Sequence, residues 1–258
     1  MDKWAVVTGA SGGIGLDIAR ELAARGYALV LSARSGDKLQ AIAAELQQAH
    51  GTRTMVAVAD LAAPGGADTL AQQIAQAGIQ PKVLVNNVGI GVYGPFADTD
   101  PARTQAMVDV NVGALTRVTA LLLPALLQQP PAHILNVAST AAFQAGPGMA
   151  VYFATKAYVL ALGEALDVEL RGRGVRVTTL CPGATRTDFA SRAEGERSAL
   201  FHSRMATSAE VARFGVRAME RGQRVAVHGL GNRLLVLGSR LSPRRLATAI
   251  AAWKMRPV

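Results

Sequence analysis

A phenol, an ammonium and a hydroxyl stand where they could share one proton. Tyr152 and Lys156 lie four residues apart in AVYFATKAYVLALGEAL, with Ser139 upstream. If 150–166 is a helix, as its composition predicts, Tyr152 and Lys156 fall a turn apart on one face and can meet the same ligand. A tyrosine titrates near ~10 in water and is a poor base at neutral pH unless a neighbouring cation favours the phenolate. A unit charge ~4 Å away, at an effective dielectric of ~20, contributes about 4 kcal/mol, or roughly three pKa units. Lys156 is therefore expected to bring Tyr152 near ~7, where proton transfer is efficient. The pattern points to oxidoreductase chemistry. The same spacing on an amphipathic helix also suits a core-edge ring and a solvated ammonium, so the motif takes its weight from its surroundings.

Those surroundings begin at the N-terminus. The run WAVVTGASGGIGLDIARELAARGYALVLSAR reads as an apolar strand, a glycine-rich turn, an amphipathic helix and a second apolar strand, a βαβ unit. Gly9, Gly13 and Gly15 fall in the turn and helix start. Missing Cβ atoms there let the backbone approach a pyrophosphate, and the helix dipole adds to the attraction. The spacing departs from the longer G-x-G-x-x-G fingerprint, but its strand–turn–helix context is the one that fingerprint requires.

Further motifs follow in order: Asp60 ending VAVAD, NNVG at 86–89, Asn111 in DVNVGA, Ser139 in NVAST, the Tyr152/Lys156 pair, and PGATRTD at 182–188. Together with TGASGGIG at 8–15 they make the chain resemble the short-chain dehydrogenase/reductase family over about residues 4–230. One departure is Val88, where the family usually has alanine. The resemblance implies that Tyr152 is the general acid for carbonyl reduction or the base for alcohol oxidation. Ser139 would hydrogen-bond the substrate oxygen. Lys156 would lower the tyrosine pKa and hold the nicotinamide ribose, and Asn111 would help anchor a water that resupplies the proton. These roles agree with the need for preplaced donors where an oxygen gains negative charge. By the same resemblance the cofactor-binding residues are Gly9, Ser11, Gly13, Ile14, Gly15, Arg34, Asp60, Leu61, Asn87, Gly89, Pro182, Gly183, Thr185 and Thr187, with Tyr152 and Lys156.

Cofactor choice is read at the end of the second strand. An enzyme that uses NAD places a carboxylate there for the ribose 2′-hydroxyl, whereas this chain has Ala33 followed by Arg34. A guanidinium grips a 2′-phosphate, so NADP(H) is expected in preference to NAD(H), with Lys38 a weaker contributor. The alternative for Arg34 is a surface charge at the next helix start. The segment at about 187–210 is where the family builds a variable substrate lid. It mixes Phe189, Leu200, Phe201 and Met205 with Arg192, Arg197 and Arg204, which suits a medium-sized, partly apolar ketone or aldehyde. The arginines leave room for an anionic group such as a carboxylate or an acyl-carrier phosphopantetheine, 3-oxoacyl reduction being one option. Phe143, Gln144 and Met149 are expected to line the other side of the pocket.

With 258 residues, 50% of them hydrophobic, the chain can bury one sizeable core, and nothing in its composition splits it. The expectation is a single α/β domain: a doubly wound, mostly parallel, seven-stranded sheet of Rossmann type with helices on both faces. Strands are expected at 4–8, 28–33, 54–59, 82–86, 133–138, 175–180 and 225–228. The first strand begins almost at Met1, leaving no room for a signal peptide, and the apolar run at 121–127 is too short to span a bilayer, so a cytoplasmic protein without an integral membrane segment is expected. Cys181 reads as a buried small side chain. His50, His133, His202 and His228 show no metal-ligand spacing, so no metal is expected.

A net charge of +9 and a pI of ≈ 10.4 invite a nucleic-acid reading, but the basic residues are dispersed and lack aromatic stacking positions, so no nucleic-acid partner is expected. The densest basic stretch is the tail at about 233–258, where Leu241, Leu246, Ile250 and Trp253 could form an apolar stripe. It could cover the cleft, pack at a subunit interface or touch an anionic membrane. The family resemblance also implies a homodimer or homotetramer built on helices at about 100–128 and 150–171. A catalytically silent NADP-binding sensor or scaffold is the alternative to an enzyme, and the complete Asn111, Ser139, Tyr152 and Lys156 set argues against it.

Overall fold

The computed structural model describes residues 3–195, 198 and 205–256. Elements follow in the order β1 (Trp4–Thr8), α1 (Gly13–Ala23), β2 (Ala28–Ala33), α2 (Gly36–His50), β3 (Thr54–Val58), α3 (Gly66–Gln76), β4 (Pro81–Asn86), α4 (Pro101–Val108), α5 (Leu115–Leu127), β5 (Ala132–Val137) and α6 (Ala150–Leu170). The chain continues through β6 (Val175–Cys181), β7 (Thr185–Arg186), α7 (Phe189–Arg192), β8 (Ala206–Thr207), α8 (Ser208–Glu220), β9 (Val225–Val227), α9 (Leu230–Leu241) and α10 (Arg244–Lys254). Seven strands form one parallel sheet in the order β3-β2-β1-β4-β5-β6-β9.

The strands read as unbroken apolar runs because both faces of the sheet are covered. Val7, Leu29, Leu31, Val85 and Leu135 point into one core layer with Ile18 and Leu22 of α1, Leu39 and Leu46 of α2, and Val211 and Met219 of α8. The intervening residues Val6, Val30, Leu84 and Ile134 face a second layer, against Leu70 of α3, Val118 and Leu122 of α5, and Leu170 of α6. The strand order reverses between β1 and β4, so the loops after these strands open a crevice at the C-terminal sheet edge.

Three features go beyond the sequence expectation, the first of them within the helix expected at about 100–128. The apolar run at 121–127 belongs to a continuous helix, Pro101–Leu127, that is long and apolar enough by length and composition to cross a bilayer. It lies along the sheet, with Leu115, Val118, Leu122 and Leu126 buried. Its middle, Asp109–Ala114, is a π-turn, a distortion that often marks functional sites. The segment at about 187–210 is clasped at its two ends by a ladder between β7 and β8, pairing Thr185 with Ala206 and Arg186 with Thr207.

Candidate active site

Three segments carry the four catalytic candidates. Tyr152 lies in the first turn of α6 and Lys156 one turn on; Ser139 follows β5 and caps a short 3-10 turn, its Oγ accepting from the Ala141 N–H at 3.1 Å. Asn111 sits in the π-turn, 1% exposed. Its amide donates to the Ile90 carbonyl at 2.9 Å and to Thr155 Oγ1 at 3.0 Å, while its Oδ1 accepts from the Ile90 N–H at 2.9 Å. The Thr155 hydroxyl in turn donates to the Tyr152 carbonyl at 2.8 Å. Asn111 thus braces the loop after β4 against the helix that carries Tyr152 and Lys156, and its side chain is committed to protein partners.

Lys156 is 4% exposed and donates to the Val137 carbonyl at 2.9 Å, its one hydrogen bond among the described residues. Gly89 lies against it: a Cβ there would come within 3.2 Å of Lys156 Nζ and 3.4 Å of Asn111 Oδ1. The expected depression of the Tyr152 pKa does not occur in the free protein. Burial pushes the phenol up to about 12, against a smaller downward pull from the Ser139 hydroxyl. Burial likewise holds Lys156 down to about 8. The reason is placement: Lys156 Nζ is turned to the Val137 carbonyl and lies 5.7 Å from the phenol ring centroid, so the cost of desolvating the phenolate outweighs its field. Cys181 is fully buried beside this group, and burial raises its thiol to about 12, so it packs as a small apolar side chain.

The dinucleotide candidates line the other half of the crevice. Gly9 and Gly13 have φ values of +67° and +56°, which favour glycine. A side chain at Gly15 would collide with the Gly9 carbonyl and the Asn87 amide. Asn87 ties the two loops together, donating to the carbonyls of Thr8 at 3.1 Å and Gly9 at 3.2 Å. Ile14 packs on the core, and Ser11 is half-buried in the turn. Helix α1 starts from Gly12 with no side-chain cap and no acidic residue in its first turn, so its leading N–H groups have no side-chain partner. This arrangement fits a pyrophosphate.

Thr187 closes the turn from outside, its methyl 3.1 Å from where a Gly13 Cβ would lie. Pro182 accepts from the Thr140 N–H at 2.8 Å, and Thr185 Oγ1 donates to the Gly183 carbonyl at 3.0 Å. Asn232 of α9 packs against Gly183, a contact the sequence did not suggest. Arg34 stands exposed just past β2 and makes no hydrogen bond or ion pair among the described residues. Asp60 is exposed, its carboxylate accepting from the Ala62 N–H, whereas Leu61 is buried in the second core layer. Val88 packs on that same layer.

An apolar wall of Tyr93, Met149, Phe153, Phe189 and Met255 stands around Tyr152. The Phe189 ring centroid is 5.3 Å from that of Tyr152. Met149 and Phe189 were expected here; Tyr93 and Met255 were not. The Tyr93 hydroxyl donates to the Met255 carbonyl at 2.7 Å, bringing the end of α10 to the site. Tyr93 carried a faint signal as an aromatic residue just beyond NNVG, and Met255 carried none. Phe143 does not line this wall. The 3-10 turn at 140–143 directs it toward α9, where the Arg240 guanidinium lies 5.2 Å from its ring centroid. Arg192 is exposed and paired with Asp188 at 3.1 Å. Arg197, Leu200, Phe201 and Arg204 lie outside the described residues.

Comparison with known proteins adds family evidence to this geometry. The profile of the family described as short chain dehydrogenase matches residues 3–198. A very-long-chain 3-oxoacyl-CoA reductase of Anas platyrhynchos is 37% identical over 188 residues, covering 70% of this chain and 59% of the relative's length. A 1-deoxy-11-beta-hydroxypentalenate dehydrogenase of Streptomyces exfoliatus is 37% identical over 198 residues, covering 76% of this chain and 72% of the relative. Among solved structures, a short-chain dehydrogenase from Sphingobium yanoikuyae in complex with NADPH superposes with a TM-score of 0.82 at 30% identity, covering 92% of this chain and 93% of that chain. With the glycine turn, the switch-point crevice and the Tyr152/Lys156 helix in one frame, the chain belongs to the short-chain dehydrogenase family of nicotinamide-dependent oxidoreductases.

Proposed function

We propose that the protein reduces a partly apolar ketone or aldehyde with NADPH, in preference to NADH, and that Tyr152 delivers the proton. The observation that carries this reading is the half-buried phenol of Tyr152 beside Ser139, facing an apolar wall and adjoining an uncapped glycine turn. Bound NADPH supplies the hydride. Gly9, Ser11, Gly13, Ile14 and Gly15 would hold its pyrophosphate, Arg34 the adenosine 2′-phosphate, and Asp60 and Leu61 would flank the adenine side. Asn87, Gly89, Lys156, Pro182, Gly183, Thr185 and Thr187 would seat the nicotinamide half. Ser139 and Tyr152 orient the carbonyl oxygen through their hydroxyls, and as charge builds on that oxygen Tyr152 passes it the phenolic proton. A neutral phenol is the form an acid needs, and burial keeps Tyr152 in that form. Lys156, an ammonium below its depressed pKa of about 8, supplies the replacement proton and is reprotonated from solvent; Asn111 is a positioning residue for the loop at Ile90.

The wall of Tyr93, Met149, Phe189 and Met255 supports an apolar substrate body, and an acyl thioester is consistent with the duck relative's name. Outward-facing Val108, Tyr158 and Val168 on α4 and α6, with Thr116 bonded to Tyr158 across α5 and α6, support a homodimer or homotetramer on these helices. The same reading places the enzyme in the cytoplasm.

The test is consumption of NADPH and NADH against ketones, aldehydes and acyl thioesters. Tyr152→Phe is expected to lower kcat about 10²-fold to 10⁴-fold while NADPH affinity is retained. Tight NADPH binding with no turnover of any substrate class, unaffected by Tyr152→Phe, would instead favour the sensor reading.

A further inference from the structure

Helix α9 is built inside out. Leu230, Leu234, Leu237 and Leu241 recur at i, i+4, i+7 and i+11, the stripe that a surface helix normally turns to the core. Here all four face solvent, Leu230 at 72% and Leu241 at 77% exposure, and no residue of α9 is buried. Helix α10 repeats the pattern: Leu246, Ile250 and Trp253 form an exposed stripe, while Ala247, Ala251 and Met255 hold the other side against the protein. Two neighbouring helices thus present apolar ridges to water, well beyond the scattered exposed side chains of an ordinary surface.

The charge these two helices themselves carry is of one sign, although Glu164 of α6 lies near Arg240. From Arg221 to the C-terminus the sequence holds no Asp or Glu. Arg233 and Arg240 edge α9, Arg244, Arg245 and Lys254 edge α10, and Arg256 follows, its guanidinium 4.6 Å from the Trp253 ring centroid. None of the six forms an ion pair among the described residues. A second copy docked here about a twofold axis would bring two such basic surfaces together, and like charges at an interface are repulsive. An anionic bilayer supplies what both features lack: apolar depth for the leucine and tryptophan ridges, and negative headgroups for the arginines.

We propose that α9 and α10 form a docking surface that lies in the plane of an anionic lipid bilayer. The attachment is peripheral and reversible. It places the bilayer on the outer side of the helix whose inner side ends at Met255, next to the apolar wall of the catalytic pocket.

The test is co-sedimentation of the full chain with vesicles of equal parts phosphatidylglycerol and phosphatidylcholine, against phosphatidylcholine alone. Binding is expected to the anionic vesicles only and to weaken with added salt. Arg244→Ala with Arg245→Ala should weaken it about thirtyfold. Leu237→Asp with Trp253→Asp should abolish it, and retained NADPH binding in each variant reports an intact fold. Equal binding to both vesicles, or to neither, overturns the proposal. So does a wild-type dimer in light scattering that Leu237→Asp with Trp253→Asp converts to monomer without any vesicle binding, since the face would then belong to a second copy.

Discussion

Helices α1 and α8 share one core layer, yet they begin in opposite ways. Thr207 and Glu210 cap α8 reciprocally: Thr207 Oγ1 accepts from the Glu210 N–H at 3.2 Å, and the Glu210 carboxylate accepts from the Thr207 N–H at 2.8 Å. At α1 the position of the cap is Gly12, with open space around it, and among the described residues no side chain answers the first amides. The difference teaches where the molecule satisfies itself and where it leaves work for a ligand. Among the described residues Lys156 is a buried cation bonded only to a carbonyl and Arg34 stands exposed and unpaired, which under the proposed function puts both with α1 in the second class.

The comparison can be broken at its centre. Gly12 has extended backbone, and a Cβ there meets nothing within 4 Å, so Gly12→Asp can be accommodated and would give α1 the kind of start α8 has. A carboxylate ~4 Å from a phosphate at an effective dielectric of ~20 costs about 4 kcal/mol, so the NADPH Kd should rise at least about hundredfold. Stability should change by only a few tenths of a kcal/mol.

Lys156 offers the next largest effect. Its pKa in the free protein is lowered from 10.5 to about 8, so the fold carries the full cost of charging it below pH 8 and sheds that cost as pH rises toward 10.5. Stability attributable to this group should therefore rise by about 2 kcal/mol between pH ~8 and ~10. Tyr152, whose pKa is raised, opposes the trend only above its ordinary value of 10.0. Unfolding of wild type and Lys156→Met, followed across that range, should show the rise flattened in the variant.

Arg34→Ala tests the proposed contact with the adenosine 2′-phosphate. It should weaken NADPH binding about tenfold and leave NADH unchanged, as measured by titration of each. Thr207→Ala sharpens the contrast from the other side. Loss of a cap that serves only the helix should lower stability by about 1 kcal/mol, a fall of roughly 2–4 °C in Tm, with both nucleotide affinities intact.

The fold was legible because a parallel sheet covered on both faces writes itself as apolar runs, and those runs matched the seven strands to within a residue or two. The site was legible where chemistry dictates spacing: Tyr152 and Lys156 share a helical face, and Gly9, Gly13 and Gly15 sit where backbone must come close. Direction and environment were harder to read. Whether Lys156 points at the phenol or at the Val137 carbonyl depends on tertiary packing, and so did the sign of the Tyr152 shift. Phe143 follows a 3-10 turn that no periodicity announces, and the clasp of β7 and β8 is two residues on each side. Met255 reaches the pocket from 162 residues beyond Tyr93, a separation that no local pattern encodes.

That last contact bears on how the molecule comes into being. The chain emerges from the ribosome N-terminus first. Every residue assigned to the dinucleotide, from Gly9 to Thr187, is made before α8 begins, whereas the apolar wall around Tyr152 lacks Met255 until α10 is finished. A nascent chain thus contains every residue assigned to the dinucleotide some seventy residues before it contains the last member of the apolar wall, so the order of synthesis separates the two halves of the crevice in time.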